Sequence, residues 1–554
     1  MSKRVISIIL LILLSALIAS IIVLSSVPPV AKDELVHHLA VPKLYLKHGG
    51  IYEIPFMDFS YYPMNVDLLY LIPLYFGNDI IPKFIHFAFA LLTAWLIFRY
   101  LQGKTSREFA LFGALFFLSI PIIVKLSVTA YVDLGLIFFS FASLVCFLRW
   151  IESGFRRRFL ILSAVLCGLG LGTKYNGLVT LFLLTLFVPL LYSRYHPGAR
   201  LGFFKASGQA FIFFLVSMLV FSPWMIRNYH WKENPIYPLY NHWFNAPDKP
   251  HSGPGEEQEE NSDSGLGVFV IRERVYQERP WEIALVPVRI FFAGRDGSPK
   301  HFDGELNPFL LLFPLLAFWR MKQDQRMVKT EKKVMLAFSV LFFAIAFFTS
   351  DLRIRYIAPI IAPLVVLSVF GLAKTAVFVR SMQKEKIRRY GSAAIGFAAA
   401  LALFLNGEYV LRQFESVQPS SYIAGKVSRE EYITRYRPEY PAIKFINEHL
   451  PADALVSFLF LGRRGYYCDR NYFHGEGRLE SILKEARTPG DIQALLSRSG
   501  TTHLIVYDPL FAKWVINNFH DEKLNNLNIF FKKYTKIMFN NNSISVLSLE
   551  QALS

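Results

Sequence analysis

Apolar residues come in long blocks, separated by short polar segments rich in Lys and Arg. A hydrocarbon core about 30 Å thick needs about 20 apolar residues at 1.5 Å rise each. Runs near that length lie at about 5–27, 80–100, 108–126, 129–149, 158–173, 177–193, 206–226, 306–320, 334–349, 356–379 and 391–407. The pattern predicts a polytopic α-helical membrane protein with about eleven transmembrane helices. The first run follows Met-Ser-Lys-Arg and exceeds the apolar core of a usual signal peptide, so it reads as a retained anchor.

Three segments break the apolar pattern. Residues 28–79 hold two amphipathic stretches, about 33–48 and 61–76. Residues 227–305 hold an acidic, turn-rich insert at 251–263. After about residue 407 the pattern changes to that of a small soluble α/β domain. It reads as helix (441–450), strand (454–461), helix (490–497), strand (501–507), helix (511–519) and a late strand near 544–547. The chain therefore divides into a membrane domain, 1–407, and an extracytoplasmic domain, 408–554.

Composition agrees with this division. Apolar residues make up 53% and charged residues 18%, against about 25% charged in soluble domains. A formal charge of +17 would ordinarily suggest nucleic acid, but the basic residues lie between the apolar runs. With the N-terminus in the cytoplasm, every inside loop is basic, from Lys3/Arg4 through Arg156–Arg158 to the run between Arg380 and Arg389. Membrane lipids are thus the expected surroundings, with no nucleic-acid partner. Three cysteines make no disulfide framework, and a phosphate-binding P-loop, paired Cys-x-x-Cys and His-Glu-x-x-His are all missing.

Candidate chemistry gathers at the outer helix mouths. Asp33 and Glu34 follow the first membrane helix, and on a helix His37 and His38 would lie one turn below them. A carboxylate here can accept a proton from a nucleophile, or simply cap a helix. Asp133, in Thr-Ala-Tyr-Val-Asp, sits at the end of an apolar run, where an ionisable residue usually faces a cavity or a partner. Lys174, in Gly-Thr-Lys-Tyr-Asn-Gly, and Arg353 and Arg355, in Leu-Arg-Ile-Arg-Tyr, are cations on the side where cations are scarce. They suit an anionic ligand such as a phosphate, or lipid headgroups. Arg227, in Trp-Met-Ile-Arg-Asn, closes another mouth, and Tyr356 completes the Arg-Ile-Arg-Tyr motif.

These motifs, in this order and on one side, resemble the GT-C fold glycosyltransferases, in particular the bacterial protein-mannosyltransferase-like and aminoarabinose-transferase-like branch. Asp33-x-x-x-x-His-x-x-x-Pro-Lys-x-Tyr and Trp-Met-Ile-Arg-Asn…Asn-Pro-Ile-Tyr-Pro resemble one of its bacterial subgroups. The resemblance implies inverting transfer of one sugar from a polyprenyl-phosphate donor to a glycan, lipid or protein acceptor outside the cytoplasm. It implies Asp33 and Asp133 as catalytic carboxylates, and Lys174, Arg353 and Arg355 at the donor phosphate. Glu34, His37, His38, Arg227 and Tyr356 become acceptor-binding or auxiliary residues. Aminoarabinose-type members carry Glu-Lys-Pro-Pro in the first loop, where this chain has Tyr61-Tyr62-Pro63-Met64. That departure removes the motif associated with lipid A and with a metal ligand, leaving a divalent metal as the one cofactor to test for. Two rivals share these features: a lipid or sugar transporter, and a non-catalytic envelope-assembly protein.

Overall fold

The computed structural model describes residues 2–196, 200–245, 268–349 and 352–550; the acidic insert at 251–263 lies outside them. Helix forms at every one of the predicted runs. Among the described residues seven helices are long and apolar enough to cross a membrane, and an eighth span is the bent pair Arg107–Ser119 and Pro121–Ser127. The 65° bend follows from Pro121, which pushes Ile120 out of helical geometry (ψ 131°). Arg157–Leu171 and Phe309–Phe318 are shorter, and Arg326–Thr349 begins with a charged turn, so these three fall short of that measure.

Burial sorts the spans. Asp133–Glu152 and the helix ending at Arg380 are largely enclosed by other helices, whereas Lys3–Ser25, Phe204–Lys232 and Glu385–Val417 face outward. Close approach uses small residues and hydroxyls, as expected where lipid offers no hydrophobic drive. A Cβ on Gly371 would come within 2.4 Å of the Phe313 carbonyl, so glycine lets Ile361–Arg380 press against Phe309–Phe318. Ser143 and Ser163 each donate to the other's backbone carbonyl, at 2.8 and 2.7 Å, across helices Asp133–Glu152 and Arg157–Leu171.

The first loop is compact. A wide turn over Glu34–His38 closes with the Leu39 amide on the Glu34 carbonyl at 2.9 Å, then leads into helix Ala40–His48. A short turn at Asp58–Tyr61 and helix Asp67–Tyr75 complete it.

The tail carries a five-stranded mixed sheet: β1 (Leu455–Leu459), β2 (Asn471–His474), β3 (His503–Tyr507), β4 (Thr535–Asn541) and β5 (Ile544–Leu549), in the order β2-β1-β3-β5-β4. β1 runs parallel to β2 and β3, while β5 is antiparallel to β3 and β4. The long helix Glu385–Val417 carries the chain from the bundle into this domain. The domain docks on the first loop: Lys43 Nζ donates to the Tyr466 carbonyl (2.7 Å) and meets Asp469 (2.7 Å), and the Tyr466 amide donates to the Leu35 carbonyl (3.1 Å). Arg429 and Asp79 add an ion pair at 2.5 Å.

Candidate active site

Three helices begin at one end of the bundle: Asp133–Glu152, Gly177–Tyr195 and Ile361–Arg380. Their first turns, with the first loop, bring together residues far apart in sequence. Arg355 reaches Asp33 at 2.5 Å, and Lys174 reaches Asp133 at 2.7 Å. Tyr356 joins the two pairs, its ring lying 5.4 Å from Lys174 Nζ and 5.3 Å from the Arg355 guanidinium; Tyr131 faces the same guanidinium at 5.6 Å. Arg355 also lies in the field of Asp133 as well as that of Asp33. The cluster is therefore a single electrostatic unit.

Local structure explains each placement. Asp133 is the first residue of its helix, where a carboxylate complements the macrodipole. His86 fixes that helix start: its Nε2 accepts from the Leu134 amide at 2.9 Å while Nδ1 lies 2.8 Å from the Thr129 carbonyl. These partners assign the neutral tautomer protonated on Nδ1. Asp133 itself is buried, and its Oδ2 has no hydrogen-bond partner, so Lys174 is its one direct ion-pair partner among the described residues. Gly172, two residues before Lys174, lies against Asn65, whose backbone N–H donates to the Gly172 carbonyl at 2.9 Å; a Cβ there would come within 2.3 Å of the Asn65 side chain.

Burial alone would raise the Asp33 pKa, but the Arg355 guanidinium, with His37 nearby, holds it well below the usual carboxylate range. Behind it, His38 Nδ1 lies 2.7 Å from Asp67, a residue that sequence reasoning missed. Burial pushes Asp67 up to about 7 and His38 down to about 3, so both lean to their neutral forms. His37 stacks on Phe59 (ring centroids 4.6 Å apart) and lies tilted against His38 (4.0 Å), and burial drives its pKa well below the ordinary imidazole value.

Other expected site residues lie elsewhere. Glu34 does not pair with His38: it is buried, and its carboxylate accepts from the Ala31 (2.8 Å) and Ala130 (2.6 Å) amides, which ties the first loop to the turn carrying Tyr131. Arg227 does not face the cluster's cations. It lies within helix Arg200–Lys232, stacked between Trp224 and Trp231 at 4.5 and 4.9 Å, and donates to the Tyr61 (2.6 Å) and Tyr62 (3.1 Å) carbonyls. Arg353 is separated from Arg355. Its guanidinium lies 3.8 Å from Asp303, which Lys125 also meets at 3.2 Å. The two arginines thus pair with different carboxylates.

Among the described residues no group of three or more His, Cys, Asp or Glu side chains is placed to hold a metal ion. Asp33 and Asp133 are each paired with a cation, Arg355 and Lys174.

Residues 74–226 match the family model of dolichyl-phosphate-mannose-protein mannosyltransferases. No curated protein sequence matches the chain. The fold is similar to that of ArnT from Cupriavidus metallidurans bound to undecaprenyl phosphate (13% identity, TM-score 0.57, 97% of each chain covered). It is also similar to the apo state of the same protein (14% identity, TM-score 0.55, 96% of each chain). A third match is the Archaeoglobus fulgidus oligosaccharyltransferase tethered with an acceptor peptide, at 12% identity and TM-score 0.50, covering 97% of this chain and 74% of that one. The chain is a polytopic membrane protein of the GT-C fold, with the ArnT-like arrangement of a helical bundle capped by a small sheet domain.

Proposed function

We propose that this protein is a membrane glycosyltransferase that takes a sugar from a polyprenyl-phosphate donor and inverts the anomeric centre. The acceptor is a glycan, lipid or protein of the cell envelope. The single observation that carries the reading is the Asp33–Arg355 / Lys174–Asp133 cluster at the mouths of three helices. The likeness to a protein bound to undecaprenyl phosphate supports the choice of donor. In the bacterial inner membrane, with the N-terminus in the cytoplasm, this end of the bundle faces outward.

In the reaction, the acceptor oxygen or nitrogen attacks the anomeric carbon while the bond from that carbon to the phosphate oxygen breaks. The leaving phosphate takes the electron pair, and Asp33 takes the nucleophile's proton. Lys174 and Arg355 hold the phosphate as its charge grows, and the three helix N-termini add favourable dipoles. The donor phosphate draws Arg355 away from Asp33. Released from its guanidinium, the half-buried carboxylate becomes a stronger base, so donor binding prepares the site for the acceptor. No nucleotide is consumed because the carrier phosphate is itself the leaving group.

Two expectations follow from the geometry. Arg355→Gln lowers donor affinity by about tenfold or more, whereas Arg353→Gln, at the Asp303 clasp, changes it by less than about threefold. Equilibrium binding of polyprenyl phosphate measures both, and equal effects would contradict the separation of the two arginines. The second concerns pH. The Asp67–His38 pair retains one titrating proton below about 7 and loses it above. The extra negative charge opposes an anionic donor, so kcat/KM falls as pH rises through that value. Asp33, already ionised, adds no limb in the same range. Asp67→Asn should flatten the profile above neutrality, and an unchanged alkaline limb would rule out this pair as its source.

Envelope glycans compared by mass spectrometry, between cells with the gene intact, deleted, or restored as Asp33→Asn, test the function. A sugar missing from both the deletion and the Asp33→Asn cells fits glycosyl transfer. Restoration by Asp33→Asn would remove it.

A further inference from the structure

At the opposite end of the bundle, a groove of about 380 Å³, open to the surroundings, runs between helices Ile81–Gln102, Asp133–Glu152 and Arg157–Leu171. Its walls change character along its length. Leu96, Val145 and Leu162 make an apolar flank. Trp95 and Leu92, four and seven residues before Arg99, continue that surface along the helix and are exposed (59% and 43%). At the polar end stand Arg99, Lys104 and Arg149.

The charges there do not cancel. Lys104 lies 2.6 Å from the buried Glu331 and 3.5 Å from Glu152, so its charge is spent within the floor. Arg149 shares Glu152 at 3.1 Å and remains 63% exposed. Arg99 has no ion-pair partner among the described residues. Three cations against two carboxylates leave one net positive charge, carried by two guanidiniums on adjacent helices. Exposed Arg156, Arg157 and Arg158 lie just beyond, where Arg157–Leu171 begins.

We propose that this groove binds one anionic phospholipid in the leaflet opposite the carboxylate–cation cluster. Arg99 and Arg149 take the phosphate. One acyl chain lies along Leu96, Val145 and the Trp95–Leu92 stripe. Guanidinium forks match phosphate oxygens, and a basic pocket between transmembrane helices is the expected headgroup site. The apolar flank distinguishes it from a general attraction of basic loops to the membrane surface, because it requires a chain attached to the phosphate.

The test uses full-length protein in mild detergent and native mass spectrometry with added phosphatidylglycerol, phosphatidylethanolamine of the same chains, or glycerol phosphate. Wild type should retain one phosphatidylglycerol with about tenfold preference over phosphatidylethanolamine. Arg99→Gln/Arg149→Gln should lose that preference. Val145→Phe, which fills the apolar flank with both arginines intact, should lose retention of the lipid. Equal retention of the two lipids, unchanged retention in the double variant, or displacement of phosphatidylglycerol by glycerol phosphate or polyprenyl phosphate would each overturn the proposal. The groove lies away from Asp33 and Lys174, so its failure leaves the glycosyltransferase reading untouched.

Discussion

Asp33→Asn should lower sugar transfer by about 10²–10⁴-fold, the range attributable to a positioned general base, while membrane insertion stays intact. Asparagine keeps the side chain's shape and one oxygen toward Arg355 but cannot take up the nucleophile's proton. It also removes the anion that holds the Arg355 guanidinium at 2.5 Å. That cation is then free for the donor phosphate, so polyprenyl phosphate should bind at least as well as in wild type. Retained or improved binding with lost turnover separates a base from a residue that merely shapes the pocket. Acceptor-dependent release of polyprenyl phosphate, read beside equilibrium binding, measures the two together. Turnover within about threefold of wild type would remove Asp33 from the chemistry.

Lys174→Ala should act twice. Asp133 is buried, its Oδ1 meets Lys174 at 2.7 Å, and its Oδ2 has no hydrogen-bond partner. Breaking such a pair by removing one partner leaves an uncompensated buried charge and costs about 3–5 kcal/mol of stability. The same substitution removes a cation from the leaving phosphate, costing about 10²–10³-fold in turnover. Asp133→Asn/Lys174→Gln separates the effects, because the two amides can hydrogen-bond each other without charge. The double variant should recover thermal stability and not recover transfer. Wild-type stability in Lys174→Ala would contradict the pairing, and recovered transfer in the double variant would contradict the phosphate role.

Much of the architecture is legible in hydropathy alone, because the bilayer leaves so few ways to satisfy a backbone. All eleven apolar runs became helices, from Lys3–Ser25 to Glu385–Val417. The alternation of strands and helices in the tail appeared too, but β2 and β4 did not. β2 is a four-residue segment, Asn-Tyr-Phe-His, that becomes a strand only by pairing with β1. β4 is largely exposed, with no buried face to mark it, and is held by the hairpin with β5.

Side-chain destinations were less legible, for geometric reasons. A helical period placed His37 and His38 one turn below Asp33 and Glu34. The wide turn at Glu34–His38 sends the four instead to Phe59, Asp67, Arg355 and the Ala31 and Ala130 amides. Arg353 is the last extended residue (φ −108°, ψ 143°) before the tight turn Ile354–Tyr356. One residue of extended chain followed by a turn directs Arg353 to Asp303 and Arg355 to Asp33. Asp67 escaped notice because its partner lies 29 residues away, beyond any local pattern. His86 did leave a signal: an ionisable residue inside an apolar run.

The most direct measurement is turnover by purified protein in a bilayer nanodisc, supplied with a polyprenyl-phosphate sugar and an envelope acceptor extract. Wild type should release polyprenyl phosphate and place the sugar on an acceptor with inverted anomeric configuration, at a rate that Asp33→Asn loses. Release no faster than with Asp33→Asn, or a donor that crosses the bilayer with its sugar still attached, would contradict transfer at this cluster.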